Sequence, residues 1–522
     1  MSITTNKPRH TNKPRNQKPA GTEDLANPVK ALENAEAPKP RLLTRIPFLN
    51  MFAAPEATQV QDSIDAGSLF GEWVPFESKG SILRAKKSAA AKGFYAPCAP
   101  GAPSTTRQAE ILNTAKIAAP TGVDGVSAGR DVLSQTAVSK DAVTDYNATP
   151  RRVTSTNCLL LGDVGTGKSA YGKCVYVLRP VILRQRRAVV FDKKNEDGEG
   201  EYAQIVRFFG GTPIRYALDK SSVRLNLLDP EISGTNDDGL NNQLAFLNTV
   251  PALMREGQGA DEWERKALRL AYRNVLASFE GNRTPTTADL HDRLGIIDRS
   301  EESLHGFNAA SLERLEASGA AMRLIFNELL EHFGPIFDGE TSAGVALNGK
   351  VTSFDISQLP DTGPVIPMVM GLSNLWLLGR VRKDRGIRTN VIIEEAGHIL
   401  GGPLAVQQRS NIKLSRGLGI SNIYCLHKET DVPAGSPGMA VIEEAQTVHV
   451  FRQTRPQSAQ WCASTFGLNP ESVPEVMSLP NGHHLLKSAA DDPEIEIEHV
   501  RSDWEIQMTN TDGALVETPV EA

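Results

Sequence analysis

Short apolar runs alternate with longer amphipathic stretches in the central part of the chain. The first run, residues 157–161, leads into a glycine-rich turn, and a second run at 187–191 ends on Asp192. Between them, residues 170–184 have a helix-compatible pattern that Pro180 is expected to kink. The predicted order is therefore strand, helix, strand. Alternation of this kind predicts an α/β fold with a mainly parallel sheet covered by helices.

The alternation continues further along the chain. Residues 202–209 predict a helix, which Gly210 and Gly211 end, and residues 213–217 predict a third strand. Later elements follow as strands at 350–354, 390–393, 421–426 and 447–451, with an apolar helix at 364–382. Residues 239 to about 333 carry several helical patterns and few strand patterns, which predicts an all-α insertion within the α/β core.

These patterns divide the chain into six predicted segments. They are a disordered basic tail at 1–40, a small accessory region at 41–150, the first part of the core at 151–238, the all-α insertion at 239–345, the second part of the core at 346–490, and a C-terminal tail at 491–522. The first segment is rich in Pro, Asn, Lys and Ala and has almost nothing to bury, which is why we expect it to be disordered.

Composition indicates the cellular compartment in which the protein is expected. The 522 residues include five scattered cysteines without a C-x-x-C pair, which argues for a reducing compartment and against zinc. No apolar run reaches the roughly 18 to 20 residues of a membrane span, and no signal peptide is evident. We therefore expect a cytoplasmic protein that contacts the inner face of the membrane only through partners.

Charge bears on contact with DNA. A net charge of −6 gives no general attraction to nucleic acid, so DNA would have to bind a local basic patch or the N-terminal tail. That tail is purely basic over its first twenty residues; its cations are Lys7, Arg9, Lys13, Arg15 and Lys18. A solvated tail without a partner is the alternative interpretation.

The glycine-rich turn has the spacing of a phosphate-binding loop. Several backbone N–H groups must converge on a polyphosphate, and glycine lets the chain wrap that closely. The predicted nucleotide-binding residues are Gly162, Asp163, Val164, Gly165, Thr166, Gly167, Lys168 and Ser169. Lys168 would reach the β- and γ-phosphates of ATP, and the Ser169 hydroxyl would ligate Mg²⁺. The alternative is a glycine-rich loop that begins a helix without binding nucleotide.

A phosphate loop also needs an acidic group at the end of a neighbouring strand. Asp192, Asp355 and the pair Glu394–Glu395 each follow a predicted strand. Only the pair supplies two adjacent carboxylates, so we predict that Glu394 ligates the metal and that Glu395 polarises the attacking water. For Asp192 and Asp355, the alternative is an acidic residue that merely ends a strand or begins a helix.

Several short motifs, in order, resemble those of the conjugation ATPases of type IV secretion systems, the VirB-type traffic ATPases, which are close to the VirD-type coupling proteins and the HerA/FtsK motors. The resemblance covers about residues 162–487. It rests on the phosphate loop and on Val-Val-Phe-Asp at 189–192, Gly-Gly-Thr-Pro-Ile-Arg at 210–215, Leu-Asn-Leu-Leu-Asp-Pro at 225–230, Phe-Asp-Gly-Glu-Thr-Ser at 337–342, Ile-Ile-Glu-Glu-Ala at 392–396 and Ser-Arg-Gly-Leu-Gly-Ile at 415–420. Upstream, residues 105–110 are similar to the approach segment of actinobacterial members.

The resemblance implies a RecA-like P-loop core, assembly as a homo-hexamer, membrane-embedded secretion or conjugation partners, and ATP hydrolysis that powers secretion or DNA transfer. It also implies an arginine supplied by the neighbouring subunit, for which Arg416 is our first candidate and Arg409 and Arg452 are weaker ones. An exposed arginine stabilising a helix end is the alternative for Arg416.

Two positions depart from the family pattern: Glu394 stands where Asp is usual, and His427 stands where Gln is usual. They motivate one alternative to a motor, an ATP-binding assembly module that hardly hydrolyses. The basic N-terminal tail keeps a second alternative open, a soluble ATPase that couples or translocates DNA. The histidines at 398, 427, 483 and 484 are predicted to lie at the surface or to support the site, not to ligate a metal.

Overall fold

The computed structural model describes residues 124–510, except 197, 234–236, 348, 385 and 490–491. At 233, 237–239, 302, 413 and 416 it describes the backbone alone. The predicted basic tail, most of the predicted accessory region and residues 511–522 lie outside the described residues.

A single sheet of eleven strands organises the described chain. The strands are β1 (Ser127–Asp131), β2 (Ala137–Ser139), β3 (Cys158–Leu161), β4 (Arg187–Asp192), β7 (Ile214–Arg215), β8 (Val351–Asp355), β9 (Thr389–Ile393), β10 (Ile420–Leu426), β11 (Thr447–Phe451), β12 (His483–Ser488) and β13 (Ile495–Glu498); β5 (Asn195–Glu196) and β6 (Glu199–Gly200) form a separate hairpin. The spatial order is β2-β1-β13-β12-β11-β3-β10-β9-β4-β8-β7. From β11 to β7 all neighbours are parallel, which confirms the predicted mainly parallel sheet.

The helices lie between these strands in sequence. Their bounds are α1 (Ala142–Asn147), α2 (Lys168–Tyr171), a π-helical segment (Gly172–Leu178), α3 (Arg179–Leu183), α4 (Ala203–Phe208), α5 (Pro230–Ser233), α6 (Asp237–Met254), α7 (Glu262–Phe279), α8 (Thr287–Arg293), α9 (Ala309–Phe337), α10 (Val365–Lys383), α11 (Gly397–Leu400), α12 (Ala405–Gly417), α13 (Pro437–Glu443), α14 (Pro456–Phe466), α15 (Ser472–Ser478) and α16 (Asp503–Thr509). None in the described ranges is both long and apolar enough to cross a membrane.

The central strands bury both of their faces, as strands of a parallel sheet do. On β3, Leu159 and Leu161 pack into a core with α10 and the helices of residues 237–337. Leu160 belongs to a second core on the opposite face, which includes Val175 of the π-helical segment and Ile205 of α4. The two-residue period of the strands thus supplies two apolar layers from one sequence run.

Pro180 changes the helix that follows the phosphate loop without ending it. A proline has no N–H to donate to the carbonyl four residues earlier, which here is that of Tyr176. The side chain of Asn390 on β9 donates to this oxygen instead, at 2.8 Å. The residues before Pro180 form a π-helical segment, and α3 follows it directly, while the kink stays a prediction.

Residues 237–337 are helical wherever they have regular secondary structure, as the insertion was predicted to be. The N-terminus of α7 is fixed by a capping box in which Asp261 and Glu264 each accept a backbone N–H of the other. Leu268 of α7 and Phe326 of α9 lie in the same core as Phe354 of β8. The helices are therefore packed on the sheet, although the predicted domain boundaries stay predictions.

The antiparallel edge of the sheet differs from the sequence prediction. Residues 491–522 were predicted to be a tail, yet within them β13 pairs with β12 and β1, and α16 follows. Arg130 of β1 forms an ion pair with the carboxylate of Glu498 on β13. Strands β1 and β2, which fall in the predicted accessory region, likewise belong to the main sheet.

Candidate nucleotide-binding site

The carboxyl ends of the parallel strands meet at one edge of the sheet. Leu161 on β3 lies level with Leu426 on β10, and Ile393 on β9 lies level with Tyr424 on β10 and with Phe191 on β4. The phosphate loop, the Glu394–Glu395 pair and His427 therefore all leave the sheet along this edge. Ligands of open α/β sheets bind at such an edge.

The glycines of the loop are required by geometry at two positions. A β-carbon on Gly162 would lie 2.5 Å from Cβ of Phe451, because β3 and β11 pack closely where the loop begins. Gly167 has a φ of +98°, and a β-carbon there would lie 3.1 Å from the backbone nitrogen of Gly482. The loop thus has the tight path that a phosphate cradle needs.

Asp163 anchors the loop with its side chain. Its Oδ2 accepts hydrogen bonds from the backbone N–H of Thr454 at 2.7 Å and from the Thr454 hydroxyl at 2.5 Å. Burial raises the pKa of Asp163, but the hydrogen bonds from Thr454 outweigh it and leave the pKa below its usual value. The carboxylate of this predicted nucleotide-binding residue is therefore committed to the segment after β11.

The rest of the loop is supported from two sides. The Thr166 hydroxyl donates to the Asp163 carbonyl at 2.7 Å, and the Thr166 carbonyl accepts from Gly482 N–H at 3.0 Å. Val164 at the tip of the loop is 79% exposed. The tip therefore faces solvent, while the base is held by a segment distant in sequence.

Lys168 is buried beneath the loop. Its ammonium donates to the carbonyls of Gly162 and Asp163, the latter at 2.8 Å, and lies 3.2 Å from Nδ1 of His427. Burial lowers the pKa of Lys168, and nearby acidic groups, Glu394 among them, partly offset this. Ser169 follows as the second residue of α2 and is partly exposed. The structure therefore gives the loop the cation and the helix start that a phosphate site uses.

Glu394 and Glu395 occupy different environments although they are adjacent. Glu394 is buried, and its Oε1 accepts a hydrogen bond from the Tyr202 hydroxyl at 2.6 Å. Burial, followed by the charge of Glu201, raises the pKa of Glu394 to about 7, against the lowering effect of the Tyr202 bond. Glu394 is therefore partly protonated and partly ionised near neutral pH.

Glu395 is the more accessible of the two carboxylates. It has a left-handed backbone with φ of +50°, which is uncommon for a residue with a side chain and is found at functional sites. Its carboxylate lies 3.5 Å from Nε2 of His398, and this interaction holds the pKa of Glu395 below its usual value against the opposing effect of burial. Glu395 is thus an ionised group at the edge of the sheet, suited to polarise water.

Asp192, through one carboxylate oxygen, and Asp355, through both, accept backbone hydrogen bonds within the protein. Asp192 Oδ2 accepts from Tyr202 N–H at 2.8 Å, and Asp355 accepts from the N–H groups of Gly200 at 3.1 Å and Ser357 at 3.0 Å. Burial raises the pKa of Asp192 well above its usual value. Both acids therefore hold the β5–β6 hairpin and the start of α4 against the sheet.

His427 touches the phosphate-loop lysine directly. Burial, and then the charge of Lys168, lowers the pKa of His427, so its ring is neutral at neutral pH. Asp431 fixes the backbone here by accepting the N–H groups of His427 and Lys428, both at 2.9 Å. His484, by contrast, is fully buried against the ring of Tyr171, and the prediction that it lies at the surface or supports the site is replaced by a place in the core.

The three candidate trans-acting arginines differ in their surroundings. For Arg416 the structure describes only the backbone, in the last turn of α12. Arg409 is exposed on the same helix, 4.0 Å from Glu444. Arg452 donates to the Asn481 side chain at 3.0 Å within its own chain.

The residues at this edge fit the Mg²⁺ of a bound nucleotide. Among the residues that the structure describes, no group of three or more His, Cys, Asp and Glu could hold a metal ion. Mg²⁺ ordinarily needs only one or two protein oxygens when phosphates and water complete its shell. Ser169 and Glu394 are protein oxygens of the kind required, next to a glycine cradle.

Sequence reasoning did not identify three residues that shape this site. Tyr202 holds Glu394, Thr454 holds Asp163, and Gly482 holds Thr166. Each acts from a segment that is far along the chain from its partner. A short-range motif contains no signal for such contacts.

Comparison with known proteins supports the fold. No protein-family model matches the sequence, and no curated protein matches it either. The structure of VirB4 of Thermoanaerobacter pseudethanolicus superposes with a TM-score of 0.60 at 17% identity, over 73% of this chain and 98% of that one. The chain has the fold of VirB4. The expected resemblance is thus confirmed as a RecA-like P-loop fold with a large, mainly parallel sheet.

A second solved structure is similar at a greater distance. The plasmid coupling protein TrwB in complex with ADP and Mg²⁺ matches 72% of this chain and 90% of its own, with 14% identity and a TM-score of 0.46. This superposition is too loose to add to the assignment of the fold.

Proposed function

We propose that this chain binds Mg²⁺–ATP and hydrolyses ATP as a motor of a conjugation or type IV secretion apparatus. The observation that carries the proposal is the buried Lys168 ammonium, held under a tight glycine loop at the edge where Glu394 and Glu395 leave the sheet. The apparatus is suggested by the VirB4 fold and by the ordered motifs from the phosphate loop to residue 420.

Each residue of the site has a separate role in the proposed phosphoryl transfer. Lys168 leaves the loop carbonyls to bind the β- and γ-phosphates, and the glycine N–H groups cradle them. Ser169 and Glu394 hold Mg²⁺, which neutralises charge on the phosphate oxygens when it is bound. Glu395, ionised and partly exposed, accepts a hydrogen bond from the attacking water and orients it.

Substitution Lys168→Ala tests the assignment of the loop. We expect steady-state ATP turnover by the purified protein to fall by at least about 100-fold, because charge stabilisation at the transferring phosphate is lost. Lys383→Ala is the control, since Lys383 is half-exposed on α10 and pairs with Glu231 away from this edge. Equal turnover in the Lys168 and Lys383 variants would disprove the phosphate-loop assignment.

A second candidate function is an ATP-binding assembly module that hardly hydrolyses. The observation in its favour is that Glu394, already one methylene longer than the usual Asp, is hydrogen-bonded to Tyr202 and has a pKa of about 7. Glu394→Asp assayed beside the wild type separates the two functions. Turnover only in the Asp variant favours the module, and comparable turnover in both favours the motor.

The proposed motor assembles as a homo-hexamer that docks on membrane-embedded secretion proteins, with DNA as a further partner through a basic patch or the N-terminal tail. In this proposal Arg416 completes hydrolysis in the neighbouring subunit. Mixing inactive Arg416→Ala with inactive Lys168→Ala protein should restore some turnover, because mixed rings contain intact sites. A verified mixed ring without activity would remove Arg416 from this role.

A further inference from the structure

Tyr202 connects the end of β4 to the proposed metal-binding carboxylate. Its hydroxyl donates to Oε1 of Glu394 at 2.6 Å, and its ring is fully buried. The sequence pattern places Tyr202 at the start of a helix and assigns it no role. In the structure, it is a polar neighbour of Glu394 that comes from a different segment of the chain.

Two contacts besides the bond to Glu394 fix the position of Tyr202. Its backbone N–H donates to Asp192 at 2.8 Å, and the ammonium of Lys173 lies 5.2 Å from the centre of its ring. Lys173 is itself held by a buried ion pair with Glu201 at 3.3 Å. The backbone of Tyr202 is therefore tied to the end of β4, and its ring is packed against Lys173 of the π-helical segment.

The π-helical segment leaves room for the side chain of Tyr202. Gly172 lies four residues after Lys168, and a β-carbon there would be 3.7 Å from the Tyr202 hydroxyl and 4.0 Å from Oε1 of Glu394. A larger side chain at this position would extend into the hydrogen bond. The helix that begins at the phosphate loop is thus packed directly against the Tyr202–Glu394 pair.

A glutamate has one more rotatable bond than an aspartate, so its carboxylate can occupy more positions. A hydrogen bond to a charged oxygen is among the stronger ones, and a donor held in place selects one of these positions. Oxygen Oε1 of Glu394 is committed to Tyr202 in this way. The donor thus offsets the positional freedom that the extra methylene of Glu394 brings.

We propose that Tyr202 is a positioning residue that orients the Glu394 carboxylate for the Mg²⁺ of bound ATP. The proposal rests on the proposed function, because it concerns the same site. Tyr202 touches neither nucleotide nor reacting atoms and acts only through Glu394. Its loss should therefore change the response to Mg²⁺ while the affinity for the nucleotide itself is kept.

The test is Tyr202→Phe, which removes one oxygen and keeps the ring. We expect the Mg²⁺ concentration for half-maximal turnover to rise, or kcat to fall, by about 10- to 100-fold, the usual cost of removing a group that orients a metal ligand. Binding of a fluorescent ATP analogue in EDTA should change by less than about twofold, because the phosphate loop is intact. Thermal melting verifies that the variant is folded.

Tyr216→Phe is the matched control. Tyr216 is also fully buried, and its hydroxyl bonds to Ser373 at 3.1 Å on the opposite face of the sheet. Tyr216→Phe also removes one hydroxyl oxygen from a core position, and Tyr216 does not contact Glu394. A merely structural effect would lower the melting temperature in both variants and leave the Mg²⁺ response of both equal to that of the wild type.

A double-mutant cycle shows whether Tyr202 acts through Glu394. In Glu394→Asp the carboxylate is one methylene shorter, so the hydroxyl of Tyr202 loses its acceptor. Adding Tyr202→Phe in that background should then change the Mg²⁺ response by less than about twofold, because the coupled contact is already gone. An undiminished effect in the Asp background would overturn the proposal.

Failure of the proposed function and failure of the Tyr202 role give different experimental results. If the wild type neither binds nor turns over ATP, the proposed function is wrong. If the wild type is active and Tyr202→Phe has the same Mg²⁺ response as Tyr216→Phe, only the positioning role of Tyr202 is wrong.

Discussion

The end of β9 and the ends of β4 and β8 carry carboxylates at the same edge of one sheet, but they do different work. Asp192 and Asp355 accept backbone N–H groups of the segment 200–202 and of Ser357. Glu394 and Glu395 instead interact with side chains, those of Tyr202 and His398. A strand-end acid can serve a ligand when the backbone has not already taken its oxygens.

This difference also appears in the charge of the acids. Burial without a cation in direct contact raises the pKa of Asp192 well above its usual value, so the fold favours its protonated form. The interaction with His398 lowers the pKa of Glu395, which keeps it ionised and accessible. The hydrogen-bond partners of each carboxylate oxygen therefore indicate the role of an acid better than its position along the edge does.

Glu395→Gln should produce the largest effect of the three tests of this comparison. We expect kcat to fall by about 10²- to 10⁴-fold, because a neutral amide orients and polarises the attacking water much less well than a carboxylate does. Affinity for ATP should stay within about twofold, since the group acts in the transition state. Glu443→Gln, at an exposed position of α13, is the control. Loss of ATP binding by the Glu395→Gln protein would contradict the assigned role.

Gly200→Ala probes the structural side of the comparison. A β-carbon there would lie 2.3 Å from Oδ2 of Asp192 and 3.1 Å from Oδ1 of Asp355, so the hairpin must shift away from the acids. We expect the free energy of unfolding to fall by about 1 to 3 kcal/mol, as for other overpacked sites. Urea denaturation measures it, with Gly402→Ala as the control because nothing lies within 4 Å of its β-carbon. Equal stability of the two variants would show that this end of the sheet is not tightly closed.

Asp192→Asn should have the smallest effect, and the effect should depend on pH. The folded-state pKa of Asp192 is raised above 3.8, so folding favours its protonated form. That contribution is complete below pH 3.8 and is lost as pH rises through the folded-state pKa. Asn cannot ionise, so the variant should gain stability relative to the wild type as pH rises from about 4 upward. A stability difference that does not change with pH, measured by urea denaturation, would argue against a raised pKa of Asp192.

The parallel half of the sheet could be predicted because its strands are buried on both faces. Val189, Val190 and Phe191 form a continuous apolar run, and an acid ends it. The phosphate loop could be predicted equally well, because its residues are contiguous and their spacing follows from phosphate geometry. Local patterns are sufficient where the chain itself supplies all the partners.

The antiparallel edge could not be predicted in this way. Residues 495–498 read Ile-Glu-Ile-Glu, and their acidic surroundings indicated a tail. Strand β1 contains no β-branched residue and is defined by pairing with β13, to which the Arg130–Glu498 ion pair contributes. Its structure depends on a partner at the other end of the described chain.

The same limit applied to the site. Asp163 was assigned to the nucleotide because it lies within the loop, but its carboxylate binds Thr454 after β11. Tyr202 was assigned to a helix, but its hydroxyl binds Glu394. In both cases the partner is set by the order of strands in the sheet, which a pattern of single residues does not contain.

The hydrogen bond from Gly482 to Thr166 also sets an order of events during protein synthesis. Residue 166 leaves the ribosome first, and at about 5 to 20 residues per second residue 482 follows roughly 20 to 60 s later. Throughout that interval the base of the phosphate loop lacks the segment that supports it. The loop therefore takes its final shape late in translation, and a chain cut short before β12 would carry every residue of the motif without the support that shapes it.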